Sequence, residues 1–204
     1  MRNQNNLSIS KLIKMNVYRL LCIPHLFVFL LLNKNKKKII EADVNVWLNV
    51  YHKQFGTYGG LIFLLCFYHE FRNLFYYRIG SVSNLLNLIC KKLPTLYITS
   101  NYIGEGLFIQ HGFATIIAAE KIGKNCWINQ QVTIGFNDKD ECPVLNDNVT
   151  VNAGAKVIGG VTIGSGSVVG ANAVVVKNVP ENCVVVGVPA YIIKRNGIKV
   201  NEKL

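Results

Sequence analysis

The chain has 204 residues, of which 50% are apolar and 16% are charged, and its formal net charge is +11 at pH 7. This composition excludes an intrinsically disordered chain, and the length suffices for one large domain or two small ones. The charge is uneven, since residues 1–95 contain 13 basic and 3 acidic side chains whereas residues 96–204 contain 9 and 8. Any role for the positive charge therefore belongs to the first half.

The first long apolar segment, residues 20–32, contains a proline and a histidine. It is shorter than the roughly 20 residues that a transmembrane helix needs. The lysine-rich residues 33–38 follow directly, without a small-residue cleavage site. The sequence therefore predicts neither a signal peptide nor a transmembrane helix here.

Residues 1–95 form the first predicted region, and it is helical. Within residues 61–78 apolar side chains recur three and four positions apart, which is the helical period. We expect two to four helices between residues 7 and 90. Pro94 then ends the region, because proline is a poor continuation of a helix.

The basic first half has three possible roles. Basic residues that alternate with long apolar runs are atypical of nucleic-acid modules, so no nucleic-acid partner is predicted. The pattern suits a trimerising helical bundle, which we favour, and it also suits a helix that binds an anionic cytoplasmic leaflet. Peripheral membrane contact through residues 1–95, at the inner face of the membrane, is therefore an additional expectation.

Six cysteines are spread along the chain without a Cys-x-x-Cys pair or a tight cluster. This spacing excludes a small disulfide scaffold and a zinc ribbon, and it fits reduced thiols in the cytosol. We therefore expect a cytoplasmic protein. The six are Cys22, Cys66, Cys90, Cys126, Cys142 and Cys183.

A six-residue period dominates the second half of the chain. Downstream, its aliphatic positions are Leu145, Val151, Val157, Ile163, Val169 and Val175. Upstream, the same register is assigned to Ile103, Ile109, Ile116, Ile122, Ile128 and Ile134. A period of six excludes an α-helix, and hairpins in a sandwich would alternate by two, so we predict a parallel β-solenoid. The fold is α+β by content, with a helical region 1–95, a solenoid 96–195 and a C-terminal tail 196–204.

Several motifs within the repeats resemble those of the hexapeptide-repeat acyltransferases. They are Gln110-His111-Gly112, a loop at residues 136–143, and Gly187-Val188-Pro189-Ala190 followed by Lys194-Arg195. The resemblance is to the serine acetyltransferase branch and its polysaccharide O-acetyltransferase relatives. It implies a left-handed β-helix, acetyl-CoA as co-substrate, and a homotrimer with active sites between subunits.

His111 is the predicted catalytic residue. Acyl transfer to a hydroxyl needs a general base, and histidine has an ordinary pKa near ~6.5. Of the four histidines, only His111 lies in the repeats, and the resemblance implies that it is this base. The alternative is a surface or packing histidine. A single histidine cannot form the three-histidine zinc site of solenoid carbonic anhydrases, so no metal enzyme is predicted.

Small residues at the turns would let the pantetheine arm of the cofactor lie close to the backbone, as the resemblance implies. Tight solenoid corners need the same small residues, so each position has a purely structural alternative. Cations near the last coils could bind the nucleotide phosphates, or be merely solvated. The predicted cofactor-binding residues are Gly135, Asn152, Ala153, Ala171, Lys177 and Lys194.

Two positions depart from the serine-specific pattern. Gln110 stands where that branch has an aspartate, and Glu141-Cys142-Pro143 stands where it has Arg-His-Pro. Because an acid repels the serine carboxylate, we expect the acceptor to be a sugar hydroxyl, free or within a capsular or exopolysaccharide, as in the polysaccharide O-acetyltransferase branch. Gln110 and Glu141 are the predicted substrate-binding residues. Serine acetylation for cysteine biosynthesis is the first alternative, and a non-catalytic trimeric scaffold is the second. The acids considered for orienting His111 are Glu105, Asp138, Asp140 and Glu141.

Overall fold

The first half of the chain is helical in the computed structural model, which describes residues 16–17, 19–137 and 141–204. Five α-helices lie wholly in the described part, and residues 16–17 and 19–21 before them are also helical, so the number exceeds the two to four helices expected. A single 3₁₀ turn, Gly80–Val82, links the last two. The helices are α1 Ile23–Leu31, α2 Lys34–Val50, α3 Thr57–Phe67, α4 His69–Ile79 and α5 Ser83–Ile89.

Local signals set where these helices begin and end. Pro24 lies in the first turn of α1, where its missing N–H costs no hydrogen bond. The side chain of Asn33 caps α2 by accepting a 2.9 Å hydrogen bond from the Lys36 backbone N–H. Gly80 ends α4 with a φ of +72°, a conformation that glycine adopts readily. No helix in the described part is both long and apolar enough to cross a membrane.

Sixteen strands follow in the described part of the chain, most of them two or three residues long. They are β1 Leu96–Ile98, β2 Tyr102–Ile103, β3 Phe108–Ile109, β4 Thr115–Ile117, β5 Lys121–Ile122, β6 Trp127–Ile128, β7 Thr133–Gly135, β8 Val144–Leu145, β9 Thr150–Val151, β10 Lys156–Ile158, β11 Thr162–Ile163, β12 Val168–Val169, β13 Val174–Val175, β14 Cys183–Val186, β15 Tyr191–Arg195 and β16 Ile198–Lys203. Each short strand ends at a turn, which matches the six-residue period.

The strands form three parallel sheets, which are the faces of a solenoid of about five turns. Face one has the order β1-β4-β7-β10-β13, and face two has the order β2-β5-β8-β11. Face three has the order β3-β6-β9-β12-β14 and continues into β15 and β16. The predicted parallel β-solenoid is therefore confirmed. We call the turns from face one to two the first corner, from two to three the second corner, and from three to the next coil the third corner.

Inward side chains stack in columns along each face. On face one the column contains Ile98, Ile117, Ile134, Val157 and Val175, as the strand register shows. The prediction that Ile116 occupies this column is wrong, because Ile116 is 43% exposed and Ile117 is fully buried. The reason is a longer third corner after Ile109, where His111 and Ala114 both have positive φ.

The predicted C-terminal tail, residues 196–204, contains a strand. Strand β16, Ile198–Lys203, pairs antiparallel with β15, and β15 pairs antiparallel with β14. Backbone hydrogen bonds of these residues therefore continue face three beyond the last coil.

The helical region packs on the first coil of the solenoid. The indole Nε1 of Trp47 donates a 2.8 Å hydrogen bond to the carbonyl oxygen of Leu107. The Trp47 ring also contacts Phe71 and Phe108, with ring centroids 5.3 and 4.6 Å away. A fully buried tryptophan thus joins α2 and α4 to face three.

Candidate active site

Residues just after the face-three strands stack on one another at the third corner. The backbone N–H of Gln110 donates to Ile128 O at 2.9 Å. One coil later, the N–H of Asn129 donates to Val151 O at 3.0 Å, and that of Asn152 donates to Val169 O at 2.9 Å. The third corner is therefore a continuous ridge. It carries Gln110, His111, Asn152, Ala153 and Ala171 from three different coils.

His111 projects from this ridge at its widest turn. Its side chain is exposed, and its φ of +60° is uncommon for a residue with a side chain. The backbone N–H of Phe113 donates to the His111 carbonyl oxygen and tightens the turn. The extra residues of this corner thus hold the imidazole outside the stacked core, where a substrate can reach it.

A chain of side-chain hydrogen bonds runs along the ridge beside His111. The indole Nε1 of Trp127 donates to Gln110 Oε1 and to Asn129 Oδ1, both at 3.2 Å. The amide of Asn129 donates to Asn152 Oδ1 at 3.2 Å, and Asn152 Nδ2 donates to Val169 O at 3.0 Å. Gln110 and Asn152 are therefore held in place. Sequence reasoning missed Trp127, whose neighbour Ile128 carried the repeat signal.

Glu70 on α4 is a second residue that sequence reasoning missed. A Cβ atom added at Gly112 would lie 2.9 Å from Glu70 Cγ and 3.0 Å from Leu96 Cδ2. The Glu70 stem therefore packs under the turn that carries His111. No sequence pattern could indicate this contact, because α4 and the third corner are separate elements brought together by packing.

The acids considered for orienting His111 lie elsewhere or outside the description. Glu105 pairs with Lys124 at the second corner, with Oε1 3.1 Å from Nζ. Asp138 and Asp140 lie outside the described residues. Glu141 belongs to the loop at the first corner, where it approaches Gly160.

Gly135 and Glu141 are therefore separated from His111 within one copy of the chain. Gly135 ends β7 on face one, and a Cβ atom added there would meet only the Thr133 methyl group, 3.9 Å away. Both residues lie at the first corner, whereas His111 lies at the third. One chain thus does not bring all the predicted site residues together.

A cavity of 670 Å³ lies at the last coil and contains part of the predicted exit motif. Lys177, Pro189, Ala190 and Tyr191 line it, together with residues 201–204. The Lys177 Nζ donates a 2.8 Å hydrogen bond to Leu204 O. Lys194 is exposed on β15, opposite Val184 and Lys199, and does not line this cavity. Only one of the two predicted phosphate-binding lysines therefore lies there.

The remaining histidines belong to the helical region. His25 is fully buried, and its Nε2 lies 2.8 Å from Tyr76 Oη. Burial lowers the pKa of His25 to about 4, so this imidazole is neutral at pH 7. His52 and His69 are exposed, at the end of α2 and the start of α4. His111 is therefore the histidine that the solenoid presents to solvent.

Comparison with known proteins agrees with this architecture. Residues 143–177 match the family described as bacterial transferase hexapeptide (six repeats). The serine acetyltransferase of Synechococcus elongatus is 34% identical over 178 residues, which are 80% of this chain and 71% of that protein. The crystal structure of Neisseria gonorrhoeae serine acetyltransferase matches with a TM-score of 0.65 and 26% identity, covering 82% of this chain and 68% of that one. A serine acetyltransferase in complex with CoA has the same fold, with a TM-score of 0.64 at 23% identity over 79% of this chain and 71% of that one.

These relatives confirm the predicted acetyl-CoA-dependent acyltransferase and correct its branch. The expectation of a polysaccharide O-acetyltransferase acting on a sugar hydroxyl is wrong, since the relatives are serine acetyltransferases. That expectation rested on Gln110 and Glu141, which stand where the serine-specific pattern has an aspartate and an arginine. Similarity to a serine acetyltransferase over 80% of the chain outweighs these two positions. In one copy, Gln110 is hydrogen-bonded to Trp127 at the third corner and Glu141 lies beside Gly160 at the first. The chain belongs to the serine acetyltransferase family of hexapeptide-repeat transferases.

Proposed function

We propose that the protein transfers the acetyl group of acetyl-CoA to the hydroxyl of L-serine, giving O-acetylserine and CoA. The observation that carries this proposal is the similarity to a serine acetyltransferase at 34% identity over 178 residues. That match covers 80% of the chain, so it extends beyond the repeats into the helical region.

His111 acts as the general base. Its imidazole takes the proton of the serine hydroxyl while the oxygen attacks the thioester carbon, and the turn amides stabilise the oxyanion. The carbon–sulfur bond then breaks, and the imidazolium returns its proton to the CoA sulfur. The exposed position of His111 on the ridge supports this role.

Acetyl-CoA lies along the ridge of the third corner. The small side chains of Ala153 and Ala171 allow its pantetheine arm to approach the backbone, and Asn152 offers an amide. Its nucleotide end lies toward the cavity at the last coil, where Lys177 supplies a cation for a phosphate. Lys194, exposed on β15, is the second candidate cation.

Three copies of the chain assemble, and a neighbouring copy completes each site. An exposed apolar surface beside His111 supports this assembly, and it consists of Tyr97, Phe113 and Ile116. A partner seated there would bring its first corner, with Gly135 and Glu141, toward the third corner of the first copy. Glu141 would then offer a carboxylate to the serine ammonium, and Gln110 would offer an amide to its carboxylate.

An acceptor assay tests the proposed activity. Purified protein is incubated with acetyl-CoA and L-serine, and both the released CoA thiol and O-acetylserine are measured. Neutral monosaccharides serve as the comparison acceptors. CoA release with serine far above the rate without acceptor supports the proposal. The proposal is contradicted if acetyl-CoA binds but no acceptor, serine included, raises CoA release above the rate without acceptor.

Cytoplasmic location, with contact to the inner face of the membrane, is a further proposal about the helical region. Four exposed or half-buried lysines, between residues 34 and 38, begin α2 with no acid in its first turn. Cations are unfavourable at a helix N-terminus, so another interaction must favour them there. Phe27, Leu30 and Leu31 of α1 are exposed directly before them, which together resembles an interfacial pattern.

Vesicle pelleting tests this contact. We expect wild-type protein to pellet with phosphatidylglycerol vesicles and not with phosphatidylcholine vesicles. The variant K34Q/K36Q/K37Q/K38Q should lose pelleting, whereas the matched control K53Q/K91Q/K92Q/K121Q should retain it. Equal pelleting of both variants would contradict the electrostatic part of this proposal.

A further inference from the structure

Three cysteine side chains from distant parts of the chain meet in the core of the helical region. Cys22 precedes α1, Cys66 lies in α3 and Cys90 follows α5, and all three are buried. The Cys22 Sγ lies 3.5 Å from the Cys66 Sγ and 3.9 Å from the Cys90 Sγ. Sequence spacing could not show this cluster, because Cys66 and Cys90 lie 44 and 68 residues beyond Cys22.

His25 adds a nitrogen ligand to the same place. Side-chain ligand atoms of Cys22, His25 and Cys90 all lie within 4.8 Å of one another. Tyr76 Oη donates a 2.6 Å hydrogen bond to Cys90 O, so it accepts the 2.8 Å hydrogen bond from His25 Nε2. The His25 proton is therefore on Nε2, and Nδ1 keeps its lone pair. Nδ1 is buried and has no hydrogen-bond partner among the described residues.

A buried positive charge lies beside this cluster. Arg72 is 2% exposed, and among the described residues it has no carboxylate partner. Its Nε donates to Leu65 O at 3.0 Å and its Nη1 donates to Lys91 O. Leu65 directly precedes Cys66, and Lys91 directly follows Cys90. Burying a guanidinium without a counter-charge is energetically unfavourable. We therefore expect a negative charge close to these cysteines.

We propose that Cys22, Cys90 and His25, whose ligand atoms lie within 4.8 Å of one another, bind one zinc ion. Cys66 lies outside this group of three and completes the set by turning its Sγ, which is 3.5 Å from the Cys22 Sγ, toward the metal. A tetrahedral zinc with Zn–S bonds of about 2.3 Å places its sulfur ligands about 3.8 Å apart, and the two measured separations lie on either side of that value. Binding releases the three thiol protons. The resulting centre carries a net charge of −1, which matches Arg72.

A zinc ion on Nδ1 of His25 also explains the hydrogen bond that its Nε2 makes to Tyr76. Histidines that bind a metal through one ring nitrogen usually donate the other N–H to an oxygen, as His25 does to Tyr76. The zinc would join the start of α1, the end of α3 and the end of α5. It is a structural site and takes no part in acyl transfer, which the solenoid residues carry out.

Metal content and cobalt binding test the proposal on the full-length protein. Protein expressed with added zinc should contain close to one zinc per chain. After removal of the metal under reducing, anaerobic conditions, Co²⁺ should give a thiolate-to-metal charge-transfer absorption that Zn²⁺ abolishes. Cys22→Ser and Cys90→Ser should each lose most of the zinc and weaken this absorption. The control Cys126→Ser removes a buried thiol of the solenoid and should change neither.

Three results would overturn the zinc site. The first is wild-type protein that contains little zinc and gives no charge-transfer absorption with Co²⁺. The second is a wild-type mass lower by two hydrogens, together with absent metal, which indicates a Cys22–Cys66 disulfide instead. The third is unchanged zinc in folded Cys22→Ser protein. If either serine variant fails to fold, the wild-type cobalt titration decides, with melting temperature before and after zinc removal as a second readout.

Discussion

Asp43 on α2 and Arg78 on α4 form a buried ion pair that holds the helical region to the solenoid. The Arg78 Nε lies 2.9 Å from Asp43 Oδ2, and its Nη2 lies 3.2 Å from Oδ1. Asp43 Oδ1 also accepts a 2.7 Å hydrogen bond from the Gly106 N–H. Arg78 donates to the carbonyl oxygens of Ile103 and Gly104. Both charges thus bind the backbone of the coil that carries the proposed base.

Asp43→Asn should destabilise the protein strongly. The substitution removes the charge that balances a buried guanidinium, and breaking a buried pair in this way costs about 3–5 kcal/mol. Urea unfolding followed by circular dichroism measures the free energy of unfolding. The control Glu202→Gln breaks the exposed pair with Arg195 and should change it little. If the two variants lower the free energy of unfolding by similar amounts, the Asp43–Arg78 pair does not stabilise the contact between the helical region and the solenoid.

His111→Asn should lower kcat by about 10²–10⁴-fold, the usual contribution of a general base. Asparagine is chosen because it tolerates the positive φ at this turn, so the fold is preserved. His52→Asn is a matched control, since His52 is also exposed and has a φ of +52°. Steady-state kinetics and acetyl-CoA affinity are measured for both. Wild-type kcat in His111→Asn would remove the assignment of the base.

Ala171→Leu should raise KM for acetyl-CoA about tenfold, which corresponds to about 1.4 kcal/mol of binding. Ala171 is exposed on the ridge, and a larger side chain there would occupy the proposed path of the pantetheine arm. Ser165→Leu places the same side chain at the second corner and should leave KM unchanged. An unaltered KM in Ala171→Leu would contradict the placement of acetyl-CoA at the third corner.

Ile116→Asp should dissociate the proposed trimer. Ile116 points outward from face one and is 43% exposed, so a charge there would disrupt the proposed apolar interface without disturbing the solenoid core. Native mass spectrometry gives the assembly state, and the serine assay should show lost activity in the monomer. Lys121→Asp, an exposed change on face two, is the control. A wild-type chain that is monomeric yet fully active would contradict a site shared between copies.

The hexapeptide period predicted the solenoid because each coil is a short-range pattern that repeats. Side chains six positions apart, such as Val151, Val157 and Ile163, occupy equivalent inward places on successive faces. The same pattern assigned the inward position to Ile116, because the sequence does not show how many residues belong to the corner before this strand. Both Ile116 and Ile117 are apolar enough for that position, and only the packing shows that Ile117 is the buried one.

His111 could be singled out from the sequence, since one histidine interrupts a repeat that otherwise takes apolar or small residues there. The acceptor branch could not be deduced from Gln110 and Glu141. Their effect depends on which side chains converge in space, and within one chain these two do not. Overall similarity to serine acetyltransferases across most of the chain decided the branch instead.

What the sequence determined by itself is therefore the local and periodic part: helices in the first half and coils in the second. His111 as the base remains a prediction. The tertiary structure alone decided which distant residues meet. It placed Glu70 under the His111 turn, paired Asp43 with Arg78, and gathered Cys22, Cys66 and Cys90 around His25. Helix packing brings these groups together from positions tens of residues apart, and no periodic pattern along the chain records such contacts.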